Sequence, residues 1–163
     1  MAPNCMHNLF LNEWIDAYPD ATYYSPPGMP KIKVSSSQLK IISNDVPLVW
    51  QAEIERHVIQ GLPRLNEVAF FHKSSRTLIV TDVVFHMSEP DSVYEKLFLR
   101  LNGAYKNFGP TRVFKTFVKD KQIFRESIEY LLQWDFETVI MSHGEILLQG
   151  GKPRFKAAFG WLY

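Results

Sequence analysis

Residues 67–85 constrain the fold of this chain more than any other stretch. Glu67-Val68-Ala69-Phe70-Phe71-His72 reads as a strand, Lys73-Ser74-Ser75-Arg76 as a polar turn, and residues 77–85 as a second strand. Two β-rich runs joined by four polar residues predict a hairpin. The second run is almost wholly apolar, the pattern of a central strand covered on both faces. Asp82 interrupts it, and a carboxylate in such a run requires a partner.

The flanking segments supply the covering layers. Leu9, Phe10, Leu11, Trp14, Ile15 and Tyr18 recur at helical spacing and predict a short amphipathic helix that stops before Pro19. A short strand at Ala21-Thr22-Tyr23-Tyr24 and a rigid loop at Pro26-Pro27-Gly28-Met29-Pro30 follow. Residues 31–44, rich in Ser and Lys, predict no definite element. A strand is expected over residues 53–59, ended by Gly61-Leu62-Pro63. Three later helices are predicted: residues 91–105 with Val93, Leu97 and Leu101 in line, residues 119–134 with Phe124, Ile128, Leu131 and Leu132, and residues 153–162 with Phe155, Phe159 and Leu162. A short strand over residues 137–144 precedes the last helix. Helices interleaved with strands indicate a layered α/β domain. With 163 residues, one domain spanning residues 1–163 is expected.

Composition excludes several function classes. Lys and Arg number 18 against 17 Asp and Glu, a formal charge of +1, which is too balanced for general capture of nucleic acid. No apolar run approaches the roughly 20 residues of a membrane helix, and the start carries neither a basic n-region nor a long apolar h-region. The one cysteine, Cys5, builds no disulfide scaffold and fits a reducing compartment, so a cytoplasmic location is expected. There is no Gly-x-Ser-x-Gly elbow, phosphate loop, Cys-x-x-Cys or His-Glu-x-x-His.

Two positions carry candidate chemistry. Asp82 lies near the end of one buried strand, and His143, in Met141-Ser142-His143-Gly144, just past another. Ligand sites gather at strand ends in α/β sheets. A carboxylate and an imidazole delivered there suit a metal such as zinc, or an acid–base pair. Equally, Asp82 is a capping group that His143 merely hydrogen-bonds. His7 precedes the first helix, and His57, His72 and His86 fall in strand-like positions without ligand-type neighbours. Lys106, Arg112, Lys115, Lys119 and Lys121 alternate with Phe108, Phe114 and Phe117, an arrangement that binds single strands of nucleic acid or forms a solvated loop with buried anchors.

These stretches resemble the metallo-β-lactamase superfamily, in an uncharacterised branch known only as a domain of unknown function. Residues 67–85 are similar to the hairpin whose second strand ends in Gly-Asp and supplies a metal-bridging aspartate, with Thr81 here in place of the glycine. Val139-Ile140-Met141-Ser142-His143-Gly144 looks like the late strand that delivers the last histidine ligand. Asn4-Cys5-Met6-His7-Asn8-Leu9-Phe10 sits where the His-x-His-x-Asp-His loop precedes a helix. The resemblance implies an αββα sandwich, N-terminally truncated by loss of the leading strands. It implies Asp82 and His143 as ligands by position, with His7 aligned on the loop aspartate and Asn8 where a histidine would stand. Gly61-Leu62-Pro63-Arg64-Leu65-Asn66 offers no third histidine.

Zinc held by protein usually has at least three protein ligands. The expected site is therefore incomplete, and the domain a degenerate, non-catalytic member without a cofactor, unless Cys5 or Asn4 contributes. The alternative is a hydrolase with a single zinc or iron ion at His7, Asp82 and His143, in which Arg64 or Lys73 orients an anionic substrate. Absent leading strands would leave a sheet edge and face open, so self-association or a covering partner is expected.

Overall fold

The computed structural model describes residues 1–29, 38–45, 49–90 and 92–163. Pro30, most of the Ser- and Lys-rich stretch (residues 31–37) and Asp91, at the start of a predicted helix, lie outside the described residues. In chain order the elements are α1 (Leu11–Ala17), β1 (Tyr23–Ser25), β2 (Leu39–Ile41), β3 (Ile54–Val58), β4 (Val68–His72), β5 (Thr77–Ile79), β6 (Phe85–His86), α2 (Val93–Leu101), β7 (Phe108–Gly109), α3 (Arg112–Phe117), α4 (Lys121–Leu131), β8 (Thr138–Ile140) and α5 (Gly151–Ala158). A 3-10 turn at Gly160–Leu162 follows α5.

The hairpin forms the middle of a four-stranded sheet of order β3-β4-β5-β8. β4 runs antiparallel to β3 and β5, with Phe71 opposite Leu78, while β5 and β8 are parallel, with Leu78 opposite Val139. Parallel neighbours need a crossover, and the chain between them supplies α2, α3 and α4. Alternation along β4 sends its side chains to both faces, and both are covered. Ala69 and Phe71 pack with Leu78 and Val139 into the main core, against Phe124, Ile128 and Leu131 of α4 and Phe155 of α5. Val68 and Phe70 face the other way, with Val58 and Ile42, under Tyr24 and Trp50. A third cluster of Ala2, Leu11, Ile15 and Tyr23 seats α1 on β1. The chain thus has the expected mixed α/β architecture. Among the described residues, no helix is long and apolar enough to cross a membrane.

Two expectations need correction. The second hairpin strand ends at Ile79 rather than running on to Phe85, because the backbone turns through residues 81–83 before β6 pairs separately with β7. The aligned Val93, Leu97 and Leu101 do not face the core: they are exposed, and Leu99 is the buried residue of α2. In the basic and aromatic segment, Phe108 and Phe114 are buried within β7 and α3, as in the alternative of a loop with buried anchors.

Candidate metal centre

Three separate segments meet at Asp82, and each is held by local chemistry. The N-terminal loop is sewn between β1 and the start of β4 by Ala2 N–H to Tyr24 O (3.0 Å) and Val68 N–H to Pro3 O (2.9 Å). Asn4, fully buried, then accepts the N–H groups of Met6 and His7 on Oδ1 at 2.9 and 2.8 Å. This side-chain-closed turn, a habit of asparagine, aims His7 inward.

The turn after β5 is shaped by Glu67. Its carboxylate accepts the backbone N–H groups of Thr81 (2.6 Å), Asp82 (2.8 Å) and Val83 (3.4 Å). Consecutive N–H groups that bind one buried carboxylate cannot also pair in a sheet ladder, which is why the strand stops here. Burial pushes the Glu67 carboxyl up to about 7, against the pull of those three donors.

The third segment follows β8. His86 N–H binds His143 O (3.0 Å) and Glu145 N–H binds His86 O (2.8 Å), so this loop zips onto β6. The contact requires Gly144: at φ +105 it has the freedom of glycine, and a Cβ there would collide with the His86 carbonyl. Phe85 stacks on the His143 ring at 4.9 Å and 9°.

Nε2 of His7 and Nε2 of His143 lie 3.0 and 2.9 Å from the same oxygen, Asp82 Oδ1. Asp82 Oδ2 accepts a 2.7 Å hydrogen bond from Asn4 Nδ2. One ligand atom from each of His7, Asp82 and His143 lies within 4.8 Å of the others. Among the described residues this is the one such cluster. The two imidazoles are partly exposed and Asp82 nearly enclosed, at the edge of a cleft of about 330 Å³ walled by Leu65, Phe85, Val113, Phe114 and Phe117.

The donor set fits a metal. Zinc–ligand bonds of about 2.0–2.2 Å put two tetrahedral ligands roughly 3.3 Å apart; the two imidazole–carboxylate separations, 3.0 and 2.9 Å, are slightly shorter, and all three ligand atoms lie within 4.8 Å of one another. Two imidazoles and a carboxylate match the three-protein-ligand, open-position pattern of catalytic zinc. In the structure the histidine Nε2 atoms donate to Asp82; a cation would replace those two protons.

The remaining candidates fall elsewhere. Cys5 Sγ points to Pro27 O at 3.4 Å, away from the cluster. Lys73 sits at the far end of the hairpin, paired with Glu55 at 3.0 Å, and does not reach the cleft. Arg64 is exposed beside Leu65. His57 stacks on Tyr130 at 4.3 Å, His72 binds Ser75 and His86 binds Glu145 O. Sequence reasoning missed Glu67 as the organiser of the Asp82 turn. Its signal was an acid directly before a fully apolar run, where burial without a partner is costly.

Comparison with known proteins adds a family and a fold. A family model described as a domain of unknown function (DUF4336) matches residues 6–105, a stretch that contains His7 and Asp82 but not His143. The fold is similar to the crystal structure of DIM-1 metallo-beta-lactamase at a TM-score of 0.51 and 17% identity, over 93% of this chain and 64% of that one. DIM-1 exposed to ceftazidime gives 0.47 and 16% over 93% and 63%, and TMB-1 gives 0.44 and 16% over 90% and 62%. At these identities the likeness is one of fold, and the chain spans less than two thirds of those structures' length. No curated protein matches the sequence.

Proposed function

The chain belongs to the DUF4336 family, and from that premise we propose that it is a metal-dependent hydrolase whose single divalent ion is held by His7, Asp82 and His143. The observation that carries the reading is the convergence of three ligand atoms, from three segments far apart in sequence, at the edge of one cleft. When bound, such an ion supplies a Lewis acid that polarises a substrate carbonyl or phosphoryl oxygen and acidifies water.

The protein's own groups prepare this site. Asn4 holds Asp82 Oδ2 and leaves Oδ1 directed between the histidines. Phe85 fixes the plane of the His143 ring. Second-layer partners of this kind typically tune metal affinity 10–100-fold. The walls of Leu65, Phe114 and Phe117 keep the cleft apolar, which lowers the local dielectric and strengthens charge interactions within it.

One observation favours the degenerate, non-catalytic reading. Asp82 accepts hydrogen bonds on both oxygens from Asn4, His7 and His143. No atom of the cluster is among the buried polar atoms without a partner. The cluster is then a structural knot that ties the N-terminal loop to the strand ends.

Metal analysis of the purified chain separates the two. The expected result is one equivalent of zinc or iron, lost in both Asp82→Ala and His143→Ala while the far-ultraviolet circular dichroism stays native. Protein free of stoichiometric metal after supplementation with either ion, with both variants destabilised instead, establishes the knot.

A further inference from the structure

The basic segment 106–121 contributes to a second cleft, on the other side of the β7–α3 connection from the metal centre. Gly109 and Pro110 line this second cleft, while Thr111, the next residue, lines the first. It measures about 480 Å³ and lies between β7 and α5. Lys106, Lys115 and Arg154 line it together with Asn107, Phe108 and Trp161, and neither Asp nor Glu does.

The cations are held rather than loose. Lys115 Nζ sits 4.8 Å from the centre of the Trp161 ring, and Arg154 Cζ lies 5.4 Å from the centre of the Phe108 ring. Lys121 approaches Trp161 at 5.9 Å. Phe108 is buried, so one of these rings is a fixed support. Lys106 pairs with Glu89 outside the cleft, but among the described residues neither Lys115 nor Arg154 has a carboxylate within ion-pair distance. A ring face restrains a cation without neutralising its charge. Like charges gathered without counter-charge raise the free energy of the empty cleft, and an anion relieves it.

We propose that this cleft is an anion-binding site for phosphate and phosphomonoesters, with Arg154 and Lys115 as the principal ligands. The guanidinium fork matches two phosphate oxygens at once, and the ammonium adds a compact point charge. Pre-ordering by the rings reduces the side-chain entropy lost on binding. A single strand of nucleic acid fits less well, because Phe108 and Phe114 are buried and Trp161 is already covered by lysines.

The test is calorimetric titration of the full chain with inorganic phosphate and with glycerol phosphate, at low ionic strength and at about 0.15 M salt. Saturable one-to-one binding is expected, weaker at the higher salt. The doubly substituted Lys115→Gln, Arg154→Gln protein should bind at least tenfold more weakly with an unchanged melting temperature. Arg154→Lys, which keeps the charge, should retain part of the affinity. His143→Ala should bind as the parent does, since the metal centre is a separate site. Absence of saturable heat overturns the proposal. So does full affinity in the double variant, or loss in a His143→Ala protein whose melting temperature is unchanged, which would put the anion at the metal centre. Binding of a single-stranded oligonucleotide that phosphate does not displace would also overturn it.

Discussion

Two ionisable residues withdrawn from water, Glu67 wholly and His57 in part, show how single side chains shape this protein, and their effects run in opposite senses. Glu67 is a buried acid whose three backbone donors make it worth burying, since they place Asp82. His57 is a half-buried base with little to compensate it. It stacks on Tyr130, its Nε2 has no hydrogen-bond partner among the described residues, and desolvation lowers it from 6.5 to about 4. The unfolded chain therefore takes up a proton near pH 6.5, while the folded chain resists until about 4. Stability contributed by neutral His57 is complete above pH 6.5 and is lost as pH falls toward 4. Solvent reaching part of the ring trims the effect to about 1–2 kcal/mol. Urea melts across this window should show the loss in the parent and a smaller one in His57→Phe, which keeps the stack on Tyr130. Equal slopes in the two proteins would refute it.

Among the elements, the loop after β8 matters most for the site, because it combines a pairing requirement with a ligand. Residues 138–140 pair with β5, and the next turn must double back on β6 to present His143. Gly144 permits that approach only by having no side chain. In Gly144→Ala the methyl group meets the His86 backbone and φ +105 becomes strained, so the loop must move. A loss of about 2–4 kcal/mol is expected. It should come with loss of metal beyond what an equally destabilising core change such as Ile128→Ala produces, and paired metal analysis and thermal melts decide it. The Asp82 turn and the His7 loop depend in the same way on pairings far along the chain, through Glu67 and Asn4.

Across the whole molecule, the apolar surface is unevenly covered. Phe124, Phe136, Phe155 and Phe159 are fully buried in the main core. By contrast α2 presents Val93, Tyr94, Leu97, Phe98 and Leu101 to solvent, and the region of α1 presents Leu9, Phe10, Trp14 and Tyr18. Contiguous exposed apolar faces of this kind mark association surfaces. Sedimentation velocity should therefore show concentration-dependent self-association. Leu97→Lys together with Phe98→Lys should reduce it without lowering the melting temperature. A parent chain sedimenting as monomer at every concentration would count against this.

Much of this was legible from residue order. The hairpin, though not the end of its second strand, the buried faces of α4 and α5 and the need of Asp82 for a partner follow from periodicity and the cost of burying charge, which act over a few residues. So does the candidacy of His143, beside a glycine past a buried strand. The partners themselves were not legible. His7 and Asp82 are 75 positions apart, His143 and Asp82 are 61 apart, and Asn4 and Asp82 are 78 apart. No local pattern encodes such a meeting. Only the assembled sheet decided that three segments end at one oxygen, that Glu67 turns the chain there, and that the regular apolar stripe of α2 faces solvent. Hydrophobic spacing states that a face is apolar; what covers that face is settled by the path of the rest of the chain.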